Sequence, residues 1–319
     1  MLDILNFVRG AVATKDLVPV LTHFHVRDGR IQGGNGRIAI DAPCEELKDF
    51  NFTVPAVKFL KSVDACNGEP KLKITPSNKL SVKKGAFKAL LPLADNTSFP
   101  YVVNELTKNK LNTDLLTIFK KLKPFVGDDA SRPWSCGILL RNNFAYATNN
   151  VVLAKVPIVW PYMDVNIPLF AVDELLRIGF APNSIGIADN RIIFNFVDDS
   201  WLSTQLFVDE WPDVDPMFKD SDSISLIPNE LKSAIETVLP FCPDEKFPRI
   251  KLSNETVSTD DGEMSAEVSG FNFGVEAYFR AEPLLQVLTQ ADEIDFSFYP
   301  DPCPFRGDGI EGILVGVRS

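Results

Sequence analysis

NFTVPAVKFLKSVDA, residues 51–65, is the first of three copies of one pattern in this chain. The pattern is a short extended run followed by an amphipathic helix with a paired apolar step, here Phe59-Leu60, and then a hairpin. The second copy is VNIPLFAVDELLRIG at 165–179, and the third is VEAYFRAEPLLQVLT at 275–289. The apolar pairs of successive copies are 116 and 109 residues apart. This period is too long for a solenoid repeat and suits a whole small domain.

The repeat predicts three tandem domains. Each copy is preceded by another amphipathic helix, a polar loop and a hairpin, so strands outnumber helices in every unit. Two helices with one apolar stripe each are expected to cover one face of an antiparallel sheet. The first two units end near the similar dipeptides Phe99-Pro100 and Trp211-Pro212. Both dipeptides lie in polar, proline-containing stretches that are typical of linkers. We predict an α+β fold with domains at residues 1–104, 105–213 and 214–319.

The composition is that of a globular protein, with 45% hydrophobic and 24% charged residues among 319. There is no N-terminal signal pattern, and no apolar run approaches the roughly 20 residues that span a bilayer. The five cysteines are odd in number and far apart, without zinc-type spacing. We therefore expect reduced cysteines, no cofactor, no membrane partner and a cytoplasmic location.

The sequence contains no strong enzyme signature. The glycine cluster GGNG at 33–36 lacks phosphate-loop spacing, so it predicts a turn between strands. His23 and His25 would share one face of a strand, which suits a metal ion, but no further ligand is close in sequence. A metal-dependent enzyme built on these histidines is one hypothesis, and ordinary strand residues are the favoured interpretation. Paired acids such as Asp198-Asp199 are typical of solvated turns, and no catalytic residue is predicted.

Charge is unevenly distributed along the chain. The net charge of −11 argues against a nucleic-acid partner, yet the three predicted domains carry +4, −3 and −12 in order. Cations recur on the predicted helices and on the loop that follows the first helix of each unit. Amphipathic helices place such residues outward in any case, but cations without a base-reading motif also suit sequence-independent phosphate contacts. The candidate DNA contacts are Arg9, Lys15, Lys58, Lys61, Lys120, Lys121, Lys123, Arg132, Arg177, Lys246 and Arg249.

Four segments in register resemble bacterial DNA polymerase sliding clamps, the beta subunits of the replicative polymerase. FTVPAVKFLKSV, with its hairpin and closing Phe-Pro, is similar to the first clamp domain. FAYATNNVVLAKVPI at 144–158, WPDVDPMF at 211–218 and GILVGVRS at 312–319 are similar to later clamp segments. The match runs along essentially the whole chain. The chain is shorter than typical bacterial clamps and diverged, which suggests a phage or mobile-element version.

The resemblance implies a processivity factor without catalysis. Two chains joined head to tail would form a homodimeric ring around double-stranded DNA and tether the polymerase and the clamp loader through short peptide motifs. Dimer rather than trimer rests on the three-unit count and on the resemblance. An alternative hypothesis keeps the clamp fold without the ring, as an interaction or decoy protein that binds replication partners.

The resemblance also implies a peptide pocket between the second and third domains. Ordinary core or strand positions are the alternative interpretation of the same residues. The predicted pocket residues are Leu153, Pro212, Met217, Ile313, Val315, Val317 and Arg318.

Overall fold

A computed structural model describes residues 1–219, 221 and 224–318. These residues form a mixed α+β structure with antiparallel sheets, which confirms the predicted fold class. Asp220, Asp222 and Ser223 of the predicted second linker, and Ser319 of the C-terminal motif, lie outside the described residues.

The order helix, four strands, helix, three strands occurs three times along the chain. The first pass consists of α1 (Leu2–Val8), β1 (His23–Arg27), β2 (Arg30–Gly34), β3 (Ile38–Pro43), β4 (Phe52–Pro55), α2 (Ala56–Asp64), β5 (Lys71–Ile74), β6 (Lys79–Lys84) and β7 (Phe87–Pro92). The second consists of the short strand β8 (Asn109–Lys110), then α3 (Leu115–Leu122), β9 (Gly137–Arg141), β10 (Phe144–Thr148), β11 (Val152–Pro157), β12 (Val165–Pro168), α4 (Leu169–Ile178), β13 (Ser184–Ala188), β14 (Arg191–Asn195) and β15 (Trp201–Gln205).

The third pass repeats this order, again after a two-residue strand. It consists of β16 (Ser225–Leu226), α5 (Asn229–Val238), β17 (Arg249–Ser253), β18 (Thr256–Thr259), β19 (Ser265–Glu267), β20 (Ala277–Arg280), α6 (Ala281–Gln290), β21 (Glu293–Ile294), β22 (Cys303–Gly307) and β23 (Ile310–Leu314).

Local sequence explains where α3 begins and which of its faces is buried. The Asp114 carboxylate accepts hydrogen bonds from the backbone N–H groups of Leu116 (3.1 Å) and Thr117 (3.3 Å) and so caps α3. Phe119 and Leu122 of α3 are fully buried, whereas Lys120 in its last turn is exposed. A helix with this stripe of apolar residues needs a sheet to cover it.

The chain forms two compact units. Unit 1 contains Met1–Asn112 with Asp173–Leu206, and unit 2 contains Thr113–Val172 with Phe207–Ser319. Unit 1 holds an eight-stranded sheet in the order β4-β1-β2-β3-β15-β14-β13-β8 and a three-stranded sheet, β5-β6-β7. Unit 2 holds an eight-stranded sheet in the order β12-β9-β10-β11-β23-β22-β21-β16 and a four-stranded sheet, β19-β18-β17-β20. Each large sheet therefore joins strands of two successive repeats, and the three-domain division stays a prediction.

Two adjacent glycines identify the two faces of the large sheet in unit 1. A Cβ on Gly33 would lie 3.0 Å from the Val12 side chain and 3.1 Å from the Val8 carbonyl oxygen, so this face packs on the first helical segment. A Cβ on Gly34 would point the other way, 3.9 Å from the Phe99 ring. The segment that follows β7 therefore covers the face opposite α1. The GGNG cluster is the end of β2 and the turn into β3, as predicted.

Candidate functional site

A cleft of about 250 Å³ opens in unit 2 where β11 pairs with β23. Leu153 lies opposite Ile313 in the strand register, and both side chains are buried. Met217, 44% exposed, stands at the same cleft in the segment that follows β15. Pro212 and Val315 complete the part that the sequence predicted. Residues from three separate stretches of the chain thus converge on one opening.

Val317 and Arg318 do not line this cleft. The backbone N–H of Val317 donates to the Tyr278 carbonyl (2.7 Å), and its own carbonyl accepts from the Tyr299 hydroxyl (2.6 Å). These bonds hold the end of the chain against β20. The exposed Arg318 follows directly, so the structure brings together five of the seven predicted pocket residues.

Aromatic residues that the sequence analysis missed support the cleft. The rings of Trp134 and Trp211 meet edge to face with centroids 5.2 Å apart, and Tyr146 packs beside Trp211. Together with Leu153 and Ile313 they form one apolar cluster. The signal was present in the sequence, because Phe144 and Tyr146 alternate along β10 and would face the same side of a sheet.

A hydrogen bond joins residues 211–218, the covering segment of unit 2, to this sheet. The Tyr146 hydroxyl donates to the Asp215 carboxylate at 2.8 Å. Burial, and secondarily this bond, raise the pKa of Tyr146 well above its usual value, so the phenol stays protonated and remains a donor.

Lys155 fixes the other end of the covering segment. Its ammonium group lies 4.0 Å from the centre of the Phe218 ring and 4.9 Å from that of Phe144, and it forms an ion pair with Glu311 at 3.0 Å. The covering segment is therefore held at Trp211, Asp215 and Phe218, with the exposed Met217 between the last two.

The predicted DNA contacts divide into two groups. Arg9, Lys15, Lys58, Lys61 and Lys120 are exposed, and within the described residues none of them forms an ion pair. They lie on or beside helices or, for Lys15, in a loop. Lys123 is also exposed. The first five side chains are available to phosphates.

The remaining predicted contacts have protein partners. Arg177 pairs with the buried Glu174 and donates to the backbone carbonyls of Phe7 (2.7 Å) and Asn6 (3.2 Å), so it links α4 to α1. Lys121 pairs with Asp308. The other three contacts are two ion pairs, Arg132 with Asp129 at 4.0 Å and Arg249 with Asp260 at 3.2 Å, and one cation–ring contact, Lys246 over Phe247 at 5.3 Å. Arg132 also lines the cleft of unit 2.

The two histidines occupy structural positions in β1. His25 is buried, stacks on Phe99 with centroids 5.0 Å apart, and shares a hydrogen bond with Thr53. His23 is hydrogen-bonded to the carbonyl of Pro19. Desolvation lowers the pKa of both imidazoles. Within the described ranges, no three His, Cys, Asp or Glu side chains form a metal-binding group, and all five cysteines are free.

In the part of the chain that the structure describes, every helix is too short or too polar to cross a bilayer.

The whole chain is similar to solved structures of DNA polymerase beta subunits. The beta subunit from the DNA polymerase of Streptococcus pyogenes matches with a TM-score of 0.82 at 17% identity, over 100% of this chain and 97% of that one. The DNA polymerase sliding clamp from Bacillus subtilis matches at 0.81 and 18% identity, over 100% and 97%. The Helicobacter pylori beta clamp bound to a DNA ligase peptide matches at 0.78 and 17% identity, over 100% and 97%. No protein-family model and no curated protein matches the chain. The sequence resemblance and the structural similarity agree, and the chain has the DNA sliding-clamp fold.

Proposed function

We propose that this protein is a DNA sliding clamp that acts in the cytoplasm. It encircles duplex DNA as a head-to-tail homodimer, catalyses no reaction, and tethers a polymerase or clamp loader through the cleft of unit 2. The fold supports this role, and one further observation carries it: each unit contains one complete sheet and one incomplete sheet.

The incomplete sheets have complementary open edges. In the large sheets, β3 pairs with β15 and β11 pairs with β23. By element order, β7 corresponds to β15 and β23, and β19 corresponds to β3 and β11. Both β7 and β19 are edge strands of their small sheets. Pairing β7 of one copy with β19 of a second copy would complete both sheets, and doing so twice closes a dimer.

Charge favours the same pairing. The sheet β5-β6-β7 is basic, whereas residues 252–279 include six acidic residues and no lysine or arginine. Lys83 lies directly opposite Lys88 in the register of β6 and β7, an arrangement of like charges that an acidic partner strand would relieve. Glu263 and Glu267 lie in or beside β19 and are exposed. The lysines of the basic sheet are Lys71, Lys73, Lys79, Lys83, Lys84 and Lys88.

Sliding needs weak contacts with the DNA backbone. The exposed cations on the helices, such as Lys58, Lys61 and Lys120, suit sequence-independent phosphate contacts that weaken with salt. Arg177 and Lys121 are weaker candidates because each already has a carboxylate partner. The cleft of unit 2 has an apolar floor and an exposed rim, which suits a short peptide with apolar anchors.

Retention on DNA tests the proposal. The protein is diluted until dimers dissociate, reconcentrated with nicked circular DNA so that rings close around it, and separated by gel filtration. We expect the protein to coelute with circular DNA and to be lost when a restriction enzyme linearises that DNA. Equal retention on circular and linear DNA would contradict encirclement.

Charge reversal provides matched variants for this assay. Lys83→Glu with Lys88→Glu, or Glu263→Lys with Glu267→Lys, should weaken dimerisation at least about tenfold in sedimentation velocity and abolish retention. Combining all four substitutions should restore both. Lys58→Glu with Lys61→Glu should leave the dimer intact and make retention more sensitive to salt. A wild-type protein that stays monomeric at micromolar concentration would favour the non-encircling alternative instead.

A further inference from the structure

A second cleft, of about 180 Å³, lies in unit 1 at the position that corresponds to the cleft of unit 2. The first residues of β3 line it, as those of β11 line the cleft of unit 2. Pro100 and Val102 contribute to it in the way that Pro212 and Val214 contribute in unit 2. The correspondence follows from the internal repeat, but the cleft of unit 1 is lined by two arginines and no aromatic side chain, whereas Arg132 and Trp134 line the cleft of unit 2.

The cleft of unit 1 is lined by apolar residues such as Ile38 and Val102, by polar side chains of β15 and by two arginines. Its lining from β15 is Ser203, Thr204 and Gln205, and no aromatic side chain takes part. Arg191 lies opposite Gln205 in the strand register and is exposed. Within the described residues Arg191 forms no ion pair. Arg37, also exposed, enters from the turn before β3.

The wall formed by residues 100–104 is fixed in place. The Gln32 side chain donates to the Val102 carbonyl (2.9 Å) and accepts from the Val102 N–H (2.8 Å). Further along, the Asn104 amide donates to Asn195 at 2.6 Å. A preformed cleft loses less conformational freedom when it binds a ligand.

We propose that this cleft binds an extended acidic peptide segment of a partner protein. The guanidinium groups of Arg37 and Arg191 would engage its carboxylates, since arginine matches carboxylate geometry with paired N–H donors. The exposed Gln205 amide of the β15 lining would hydrogen-bond the peptide. This site does not depend on whether the protein encircles DNA.

The observations favour a peptide over nucleic acid. Nucleic-acid sites track a row of phosphates with many cations, whereas two arginines flank this cleft. Aromatic platforms that would stack bases are also missing from its lining.

Fluorescence anisotropy with the full chain tests the proposal. The probe is a labelled peptide of about ten residues that alternates glutamate and serine, and its control replaces glutamate by glutamine. At about 50 mM salt we expect saturable binding of the glutamate peptide and at least about tenfold weaker binding of the glutamine peptide. Arg37→Gln with Arg191→Gln should weaken binding by a similar factor.

A matched variant distinguishes the site from general charge attraction. Arg9→Gln with Lys15→Gln removes two exposed cations elsewhere in unit 1 and should change affinity by less than about twofold. Equal losses in the two variants would overturn the proposal, as would the absence of saturable binding. A short single-stranded oligonucleotide that binds more tightly than the peptide and depends on the same two arginines would also overturn it.

Discussion

Residues 211–218 of unit 2 cover an apolar sheet face, whereas residues 100–107 of unit 1 pack on a smaller apolar cluster and are also hydrogen-bonded to a buried side chain of the sheet. In unit 2 the cover packs on side chains such as Leu153 and Ile313. In unit 1 the cover is hydrogen-bonded to Gln32, which is completely buried. The backbone plan is the same in both units, so the side chains alone decide how far apolar packing and how far buried hydrogen bonds hold the cover.

This difference separates two ways of holding a surface segment. Apolar packing is non-directional and leaves a rim such as Met217 free to contact a ligand. Hydrogen bonds from a buried amide fix the segment in one position, because leaving buried polar groups unpaired is costly. We therefore expect substitutions beneath the cover of unit 2 to act through lost packing, and substitution of Gln32 in unit 1 to act through unpaired polar groups.

Trp211→Ala should have the largest effect. It removes a buried ring that packs on Trp134 and Tyr146, and substitutions of this kind cost about 3–5 kcal/mol. We expect the unfolding transition of unit 2 to move to lower temperature in differential scanning calorimetry. Phe99→Ala is the control in unit 1, where the ring stacks on His25, and should lower the other transition. If both variants lower the same transition, the two covers are not energetically separate.

Gln32→Leu should destabilise unit 1 by about 2–3 kcal/mol. The substitution leaves the backbone of Val102 without its partners and removes a donor, at 3.0 Å, from the fully buried Asp41 carboxylate. Urea unfolding measures the loss. The matched change in unit 2 is Tyr146→Phe, which should cost only about 1 kcal/mol because Asp215 is exposed and regains water. Equal losses for the two variants would mean that the buried hydrogen bonds of Gln32 hold the cover of unit 1 no more strongly than the single bond of Tyr146 holds that of unit 2.

Much of this architecture could be predicted from the sequence. The repeat gave the fold class, and the apolar stripes gave the helices, because helical and strand periods are local properties. The pairing of β3 with β15, more than 150 residues apart, left no local signal. Such long-range pairings depend on the assembled fold, and they place strands of successive repeats in one sheet.

Only part of the candidate site could be predicted, because contacts between distant parts of the chain leave no local signal. The sequence resemblance identified Leu153 and Ile313, which face each other across two strands. It also included Val317, whose backbone is bound to Tyr278 instead. The role of Arg177 could not be predicted, because it donates to two backbone carbonyls of α1 that only the folded chain brings near.

Lys155→Met should have the smallest effect and the most informative salt dependence. Lys155 lies opposite Glu311 in the strand register, whereas Asp41 of unit 1, at the corresponding position, lies opposite Trp201. The methionine keeps the apolar stem but loses the ion pair and the contact with Phe218, together about 0.5–1 kcal/mol. Urea midpoints measured at low and high salt separate these two contributions. Glu311 is partly exposed, so we expect salt to screen the ion pair and to leave the ring contact. A difference between wild type and variant that vanishes completely in high salt would mean that the ring contact does not hold Phe218, and that the apolar floor alone positions the cover.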